Sequence, residues 1–138
     1  SLLPQDYSLG MLHFSPKLTE WLSAWLPPLL WGGLIFFFSA QSGLPSPDDY
    51  LLDFIFKKSA HMFVFFVLYL LVWRATQQSM RPQTVFLRWF VPLLICLSYA
   101  ALDELHQSIT PGRSATLRDV GYDTLGMLVA STWWYRYI

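Results

Sequence analysis

Charge is what this chain has least of. Asp, Glu, Lys and Arg make up only 13% of its 138 residues, nine acidic against nine basic, so the formal net charge is zero. A soluble domain carries about 25% charged residues, and the deficit excludes a surface built to face water throughout. The zero balance excludes the basic face that a nucleic-acid binder needs. The single cysteine, Cys96, lies inside an apolar run, which excludes a disulfide framework and a thiolate metal site and assigns it to packing. The sequence has no P-loop, dinucleotide fingerprint, internal repeat or low-complexity tract. No secretory leader is expected, because the first apolar run begins late and no small-residue cleavage site follows it cleanly.

What the chain does have is apolar and aromatic. Hydrophobic residues are 54% and aromatics 18% of the sequence, and the mean hydropathy is +0.39. Trp21, Trp25, Trp73, Trp89, Trp133, Trp134, Tyr135 and Tyr137 gather near segment ends, as in an interfacial aromatic belt. Ser15-Pro16 is a helix start, and an apolar segment follows to Ser39. Pro27-Pro28 predicts a kink, or a division into an entry helix and a spanning helix. Ser46-Pro47-Asp48-Asp49 opens a second helix, with acids favoured in its first turn, continuing to about Ala75. A turn at Arg81-Pro82 leads to a third helix over about 84–107, bent near Pro92. After the loop Ser108–Ala115, a fourth helix runs from Leu117 to Tyr137, capped by Thr116.

Each segment is close to the roughly 20 residues that cross a bilayer core, and short connections make sequential helices antiparallel neighbours. The predicted fold is all-α: a polytopic membrane four-helix bundle, with residues 1–20 as an N-terminal interfacial segment and 21–138 as the transmembrane domain. Orientation follows Arg and Lys in short loops. Arg74, Arg81 and Arg88, with no acid among them, place the connection between helices two and three in the cytoplasm, although Lys57, Lys58, Arg113 and Arg118 oppose this. In either orientation four helix ends share one membrane face: the end of helix one, the start of two, the end of three and the start of four.

The polar residues fall on that face. Tyr99, Asp103 and Gln107 are spaced by four, hence one stripe, with His106 beside it and Glu104 about 100° away from Asp103. Asp119, Asp123 and Gly126 share a face of helix four, where Gly126 permits close helix approach. Lys58 and His61 open helix two, with Tyr69 deeper on the same side, and helix one ends in Ser39-Ala40-Gln41-Ser42-Gly43. An ionisable group at a helix centre costs about 2.5–3.5 kcal/mol on insertion scales, so a dense set at one edge points to a site. The structural readings stand beside it. Asp119 with Thr116 fits a capping-box variant, Lys57 fits a side chain snorkelling to head groups, and Gln41, Ser42 and Ser108 fit plain turns. A lone His61 is more often a satisfied buried histidine than a catalyst. Asp103 and Asp123 fit buried pairs with Arg113, Arg118 or Lys58 that only fix packing.

Three chemistries suit the set. Arg113 and Lys58 can hold a phosphate or carboxylate, Arg by a two-pronged contact. His61 and Asp103 can act as a general base and its orienting acid. His61, Asp103, Glu104, His106, Asp119 and Asp123 can supply metal ligands, but without a His-Glu-x-x-His spacing no metal is assigned. No serine stands in a nucleophile-elbow context. The expected site comprises His61, Asp103, Glu104 and Asp119 at its catalytic centre, with Gln41, Ser42, Lys58, Tyr69, Gln107, Arg113 and Asp123 binding ligand.

At these residues the chain resembles the VanZ-like family of small bacterial membrane proteins. The resemblance is carried by Phe38-Ser39-Ala40-Gln41-Ser42, Lys58-Ser59-Ala60-His61, Tyr69, Asp103-Glu104-Leu105-His106-Gln107, Pro111-Gly112-Arg113 and Asp119-Val-Gly-Tyr-Asp123-Thr-Leu-Gly126, and it covers about residues 21–135. It implies a multi-pass protein of the bacterial cytoplasmic membrane, whose founding member is linked to resistance to the lipidated glycopeptide teicoplanin. It does not supply a settled reaction, and it leaves the cofactor unknown. The expected function is handling of an amphipathic or lipid-linked anionic molecule at the outer leaflet, with membrane lipids or a lipid-linked small molecule as partner and no nucleic acid. The alternatives are an intramembrane acid–base enzyme, a phosphoester hydrolase or transferase on a lipid, and a non-catalytic accessory subunit.

Overall fold

A computed structural model describes residues 15–41 and 47–137. Most of the expected interfacial segment, and Ser42, lie outside the described residues. Among the described residues four helices follow in order: α1 (Pro16–Ser39), α2 (Tyr50–Ser79), α3 (Val85–Ser108) and α4 (Leu117–Tyr137). Among the described residues there is no strand.

The helix starts follow their capping chemistry. The Ser15 hydroxyl accepts from Leu18 N at 3.3 Å, the Asp49 carboxylate from Leu52 N at 3.0 Å, and the Thr84 hydroxyl from Leu87 N at 3.2 Å. Each satisfies an amide that has no partner inside its helix. Asp49 is thus the cap of α2, which also extends one turn beyond Ala75. Pro27 and Pro28 do not divide α1, which is continuous through both. Neighbouring helices hold the segment: Pro28 is buried, and the Trp25 indole donates to the Ser79 hydroxyl of α2 at 2.9 Å. Packing of this kind is how prolines are accommodated in membrane helices.

Three helices, α1, α2 and α3, are long and apolar enough to cross a bilayer. The chain is a multi-pass membrane protein. The fourth helix differs from the other three, because Arg118, Asp119, Asp123 and Arg136 interrupt its 21 residues. Its two acids are buried against the bundle, so their burial by protein removes them from lipid. Leu30, Phe37, Phe86, Leu102 and Leu105 point outward and exposed, as a surface solvated by acyl chains allows.

The second helix is the hub, packing against all three others, most closely on α4. Gly126 sets that approach: a Cβ there would collide with the backbone of Met62, so the two helices meet main chain to main chain. The core is Phe65, Leu68, Tyr69 and Val72 of α2, Cys96 and Ala100 of α3, and Met127 and Ala130 of α4, joined by Ile35 of α1. At one end of the bundle the Trp73 ring lies tilted beside Trp89 (5.7 Å) and edge-to-face with Trp134 (5.4 Å), and Trp89 lies edge-to-face with Tyr135 (5.8 Å). The polar motifs occupy the opposite end.

Candidate functional site

The antiparallel order brings the end of α1, the start of α2, the end of α3 and the start of α4 to one edge. Side chains join across them. Gln107 Nε2 of α3 donates to Ser39 Oγ of α1 at 3.2 Å and to Asp103 Oδ2 one turn below at 3.0 Å. His61 Nδ1 of α2 lies 2.8 Å from Asp123 Oδ1 of α4. Lys58 Nζ bonds Asp119 Oδ1 and also sits over the Phe54 and Tyr122 rings, 5.6 and 5.2 Å from their centroids. Glu104 turns from Asp103 toward α4, and its Oε1 accepts from Thr116 N. The Thr116 hydroxyl meets the Asp119 carboxylate at 3.2 Å. The start of α4 is therefore fixed partly from another helix, a carboxylate placed at the positive end of its dipole.

The four acids are nearly removed from solvent: Asp103 is 4% exposed, Glu104 7%, Asp119 6% and Asp123 1%. They lie close enough to act on one another electrostatically, Asp123 with Asp103 and Asp119, and Glu104 with Asp119 and Asp123. Two cationic side chains face them, Lys58 and, when protonated, His61. Asp103 Oδ1, Glu104 Oε2 and Asp123 Oδ2 are buried without a hydrogen-bond partner, as is His106 Nδ1. The His106 ring stacks on Phe36 of α1 at 4.1 Å. Among the described residues no three His, Cys, Asp or Glu side chains are grouped so as to hold a metal ion.

Several expected residues are placed differently from their sequence reading. The carboxylate beside His61 is Asp123, not Asp103. Both lie at the same edge, and it is the close contact of α2 and α4 at Gly126 that decides between them. Tyr69 is buried in the core and its hydroxyl is directed to Trp89 O at 3.4 Å, toward the tryptophan end and away from the acids. Gln41 contributes its main-chain carbonyl, while its amide folds back onto Phe37 O at 3.4 Å. Lys57 makes an exposed i,i+4 pair with Asp53 at 2.8 Å rather than extending alone to head groups.

Arg113 has no acid within salt-bridge range among the described residues. Its Nε donates to Gln41 O at 3.0 Å and its Nη2 to Phe38 O at 3.2 Å, a second donor for a carbonyl that Gln41 N already meets at 3.1 Å at the end of α1. The turn before it explains the reach. Arg113 N bonds Thr110 O at 3.2 Å, with Pro111 second and Gly112 third at φ 78°, the residue order of a type II turn. A guanidinium has five N–H donors, so two bonds leave the others available at the rim.

Sequence reasoning left Ser39 and Thr116 out of the site. The signal for Ser39 is periodic: Pro28, Gly32, Ile35 and Ser39 are the buried face of α1, at the i, i+4, i+7, i+11 spacing of one helical stripe.

An apolar cleft of about 340 Å³ adjoins the polar centre. Trp25, Pro28, Leu29, Gly32, Gly33 and Phe36 of α1 line it with Leu68 and Val72 of α2 and Ile95, Cys96 and Tyr99 of α3. It exists because α1 and α3 scarcely touch. Tyr99 bridges them by donating to Gly32 O. Tyr99 is one turn before Asp103, and Phe36 carries the His106 stack, so cleft and polar centre share a wall.

No curated protein and no solved structure matches the chain. The sequence profile of the VanZ/LLP1 family matches residues 13–137, which includes every helix and every side chain of the polar centre. The chain belongs to the VanZ/LLP1 family.

Proposed function

We propose that this protein binds an amphipathic or lipid-linked molecule of the bacterial cell envelope, head in the polar centre and hydrocarbon chain in the cleft between α1 and α3. The observation that carries the reading is their continuity along one stripe: Tyr99 lines the cleft, and Asp103 and Gln107 follow on the same face of α3. A cleft of 300–1,000 Å³ with a few convergent polar groups is the usual form of a small-molecule site. Here the walls lie in spanning helices and include Leu29 and Phe36, 65% and 52% exposed, so the chain of a lipid enters sideways from the bilayer. Arg113, with donors to spare at the rim, takes the anionic group. His61 with Asp123 provides an acid–base pair beside the head, which keeps an intramembrane phosphoester hydrolase or transferase as the second reading. The acid-free arginine cluster at Arg74, Arg81 and Arg88 orients the polar centre to the outside of the cytoplasmic membrane, where envelope precursors and glycopeptides of the teicoplanin type meet the cell.

A fatty-chain amphiphile with a diazirine in its tail tests the placement. On irradiation the cross-links should map to the peptides containing Gly33 and Ile95 and fall when Gly33→Leu fills the cleft. Cross-links spread evenly over Leu30, Phe86 and Leu102 on the outer faces would refute a bound chain.

A further inference from the structure

A second cleft, of about 310 Å³, has no part in the reading above. α3 lines it from Val85 to Leu93, with Tyr69 of α2 and Ser131 of α4. Tyr69, singled out from the sequence, is thereby a wall of this cleft. From Val85 to Leu93 is eight residues, an advance of about 12 Å along a helix. That is less than half of a hydrocarbon core about 30 Å thick, so the cleft lies within one leaflet. It starts at the membrane surface, because α3 begins at Val85 and Trp89 belongs to the aromatic end of the bundle. Val85 and Phe86 are 65% and 67% exposed there, so the cleft opens to lipid. Its polar groups are already engaged, the Tyr69 hydroxyl with Trp89 O and the Ser131 hydroxyl with Leu128 O, which suits a hydrocarbon occupant.

Charge at the same end is one-sided. Among the described residues Lys17, Arg74, Arg81, Arg88 and Arg136 stand there against Glu20, and none of the four arginines has an acid within salt-bridge range. Arg81 comes just before α3 and Arg88 lies in its first turns. Helical side chains lean toward the N-terminus of their helix, which for Arg88 is the membrane surface. Fields of surface charges extend about 8 Å at physiological ionic strength, so an anion over the start of α3 is attracted without direct contact. We infer that this cleft holds one acyl chain of an anionic phospholipid from the leaflet at the tryptophan end, with the phosphodiester head over the start of α3 near Arg81 and Arg88. The site is separate from the one between α1 and α3 and does not depend on it. A zwitterionic phospholipid with the same chains fits the cleft equally, so the arginines supply the selection.

Two probes with the same diazirine-bearing acyl chain, one a phosphatidylglycerol and one a phosphatidylcholine, test this. Each is added in trace to phosphatidylcholine nanodiscs carrying the full chain, since a cleft open to lipid exchanges its occupant for detergent. On irradiation the phosphatidylglycerol cross-links should map to peptides containing Phe90 and Ser131 and exceed those of phosphatidylcholine there by roughly fivefold or more, the effect of one cation at a membrane surface. Arg81→Asn together with Arg88→Gln should remove that excess. Asparagine adopts a positive φ readily, as the 46° of Arg81 requires, and Gln77 bonds the main-chain carbonyl of Arg88 rather than its side chain. Ser131→Leu fills the cleft and gives up only a bond within its own helix, so it should lower labelling by both probes. Size-exclusion chromatography checks folding, and if one variant fails the other carries the test. Equal labelling by the two probes, or an excess that survives the arginine substitutions, overturns the anionic head. Labelling unmoved by Ser131→Leu overturns the chain in the cleft. Gly33→Leu, which fills the cleft between α1 and α3, should leave the pattern unchanged; a loss as large as that from Ser131→Leu overturns a separate site.

Discussion

Replacing Gly126 by alanine should pull apart the contact on which the site depends. The added methyl would meet the Met62 main chain rather than a side chain that could swing aside. Overpacking of that kind costs about 1–3 kcal/mol, offset by the roughly 0.5–1 kcal/mol that alanine gains over glycine inside a helix. Taking the middle of each range, a net loss of about 1 kcal/mol follows, a factor of roughly 5 in the folded-to-unfolded ratio. His61 precedes Met62 and Asp123 lies one turn before Gly126, so the strain falls beside their 2.8 Å contact. Gly121 is the matched control. It lies in the same helix with open space around its would-be Cβ, so Gly121→Ala should be neutral or slightly stabilising. Both variants can be compared by unfolding in bicelles, with parent protein alongside. Equal stability of Gly126→Ala and Gly121→Ala would refute the main-chain contact and the α2–α4 register built on it.

Further expectations follow from the same geometry. Lys58→Met should lower stability by about 3 kcal/mol, near the lower end for a broken buried pair, because Asp119 loses its cation; the double variant with Asp119→Leu should recover most of that loss in the same assay. Arg113→Lys cannot serve both the Gln41 and Phe38 carbonyls, so it should cost about 1 kcal/mol of stability as well as weaken retention of an anionic amphiphile; a parent-like melting temperature would show that this cap contributes nothing. Orientation is tested by cysteines at Gln83 and Ser114 in a chain whose own Cys96 is fully buried. An impermeant thiol reagent on intact cells should label Ser114→Cys only, and labelling of Gln83→Cys instead would invert the topology.

The helices were legible because their signals are local. Ser15-Pro16, Asp49 and Thr84 mark starts through side chains that reach amides three residues on, and the shared edge follows from short loops. Partners across helices were not legible. Whether His61 meets Asp103 or Asp123 depends on how closely α2 approaches α4, a distance set by Gly126 against the backbone of Met62. Arg113 was expected to be a free clamp because nothing in the sequence marks the Phe38 and Gln41 carbonyls to which it donates. The fourth helix, with four charges in 21 residues, looked like a span by length. Only its neighbours show that the acids among those charges face protein.

The most direct test of amphiphile binding is native mass spectrometry of the detergent-purified chain, recorded on the parent, on Gly33→Leu and on Asp103→Asn. The account predicts a retained mass of lipid size on the parent, at one per chain. It should be reduced when the cleft is filled, and reduced again when Asp103 loses its charge, while all three proteins stay monodisperse. A parent chain that carries no such mass, or one retained equally by both variants, would contradict the binding site proposed between α1 and α3.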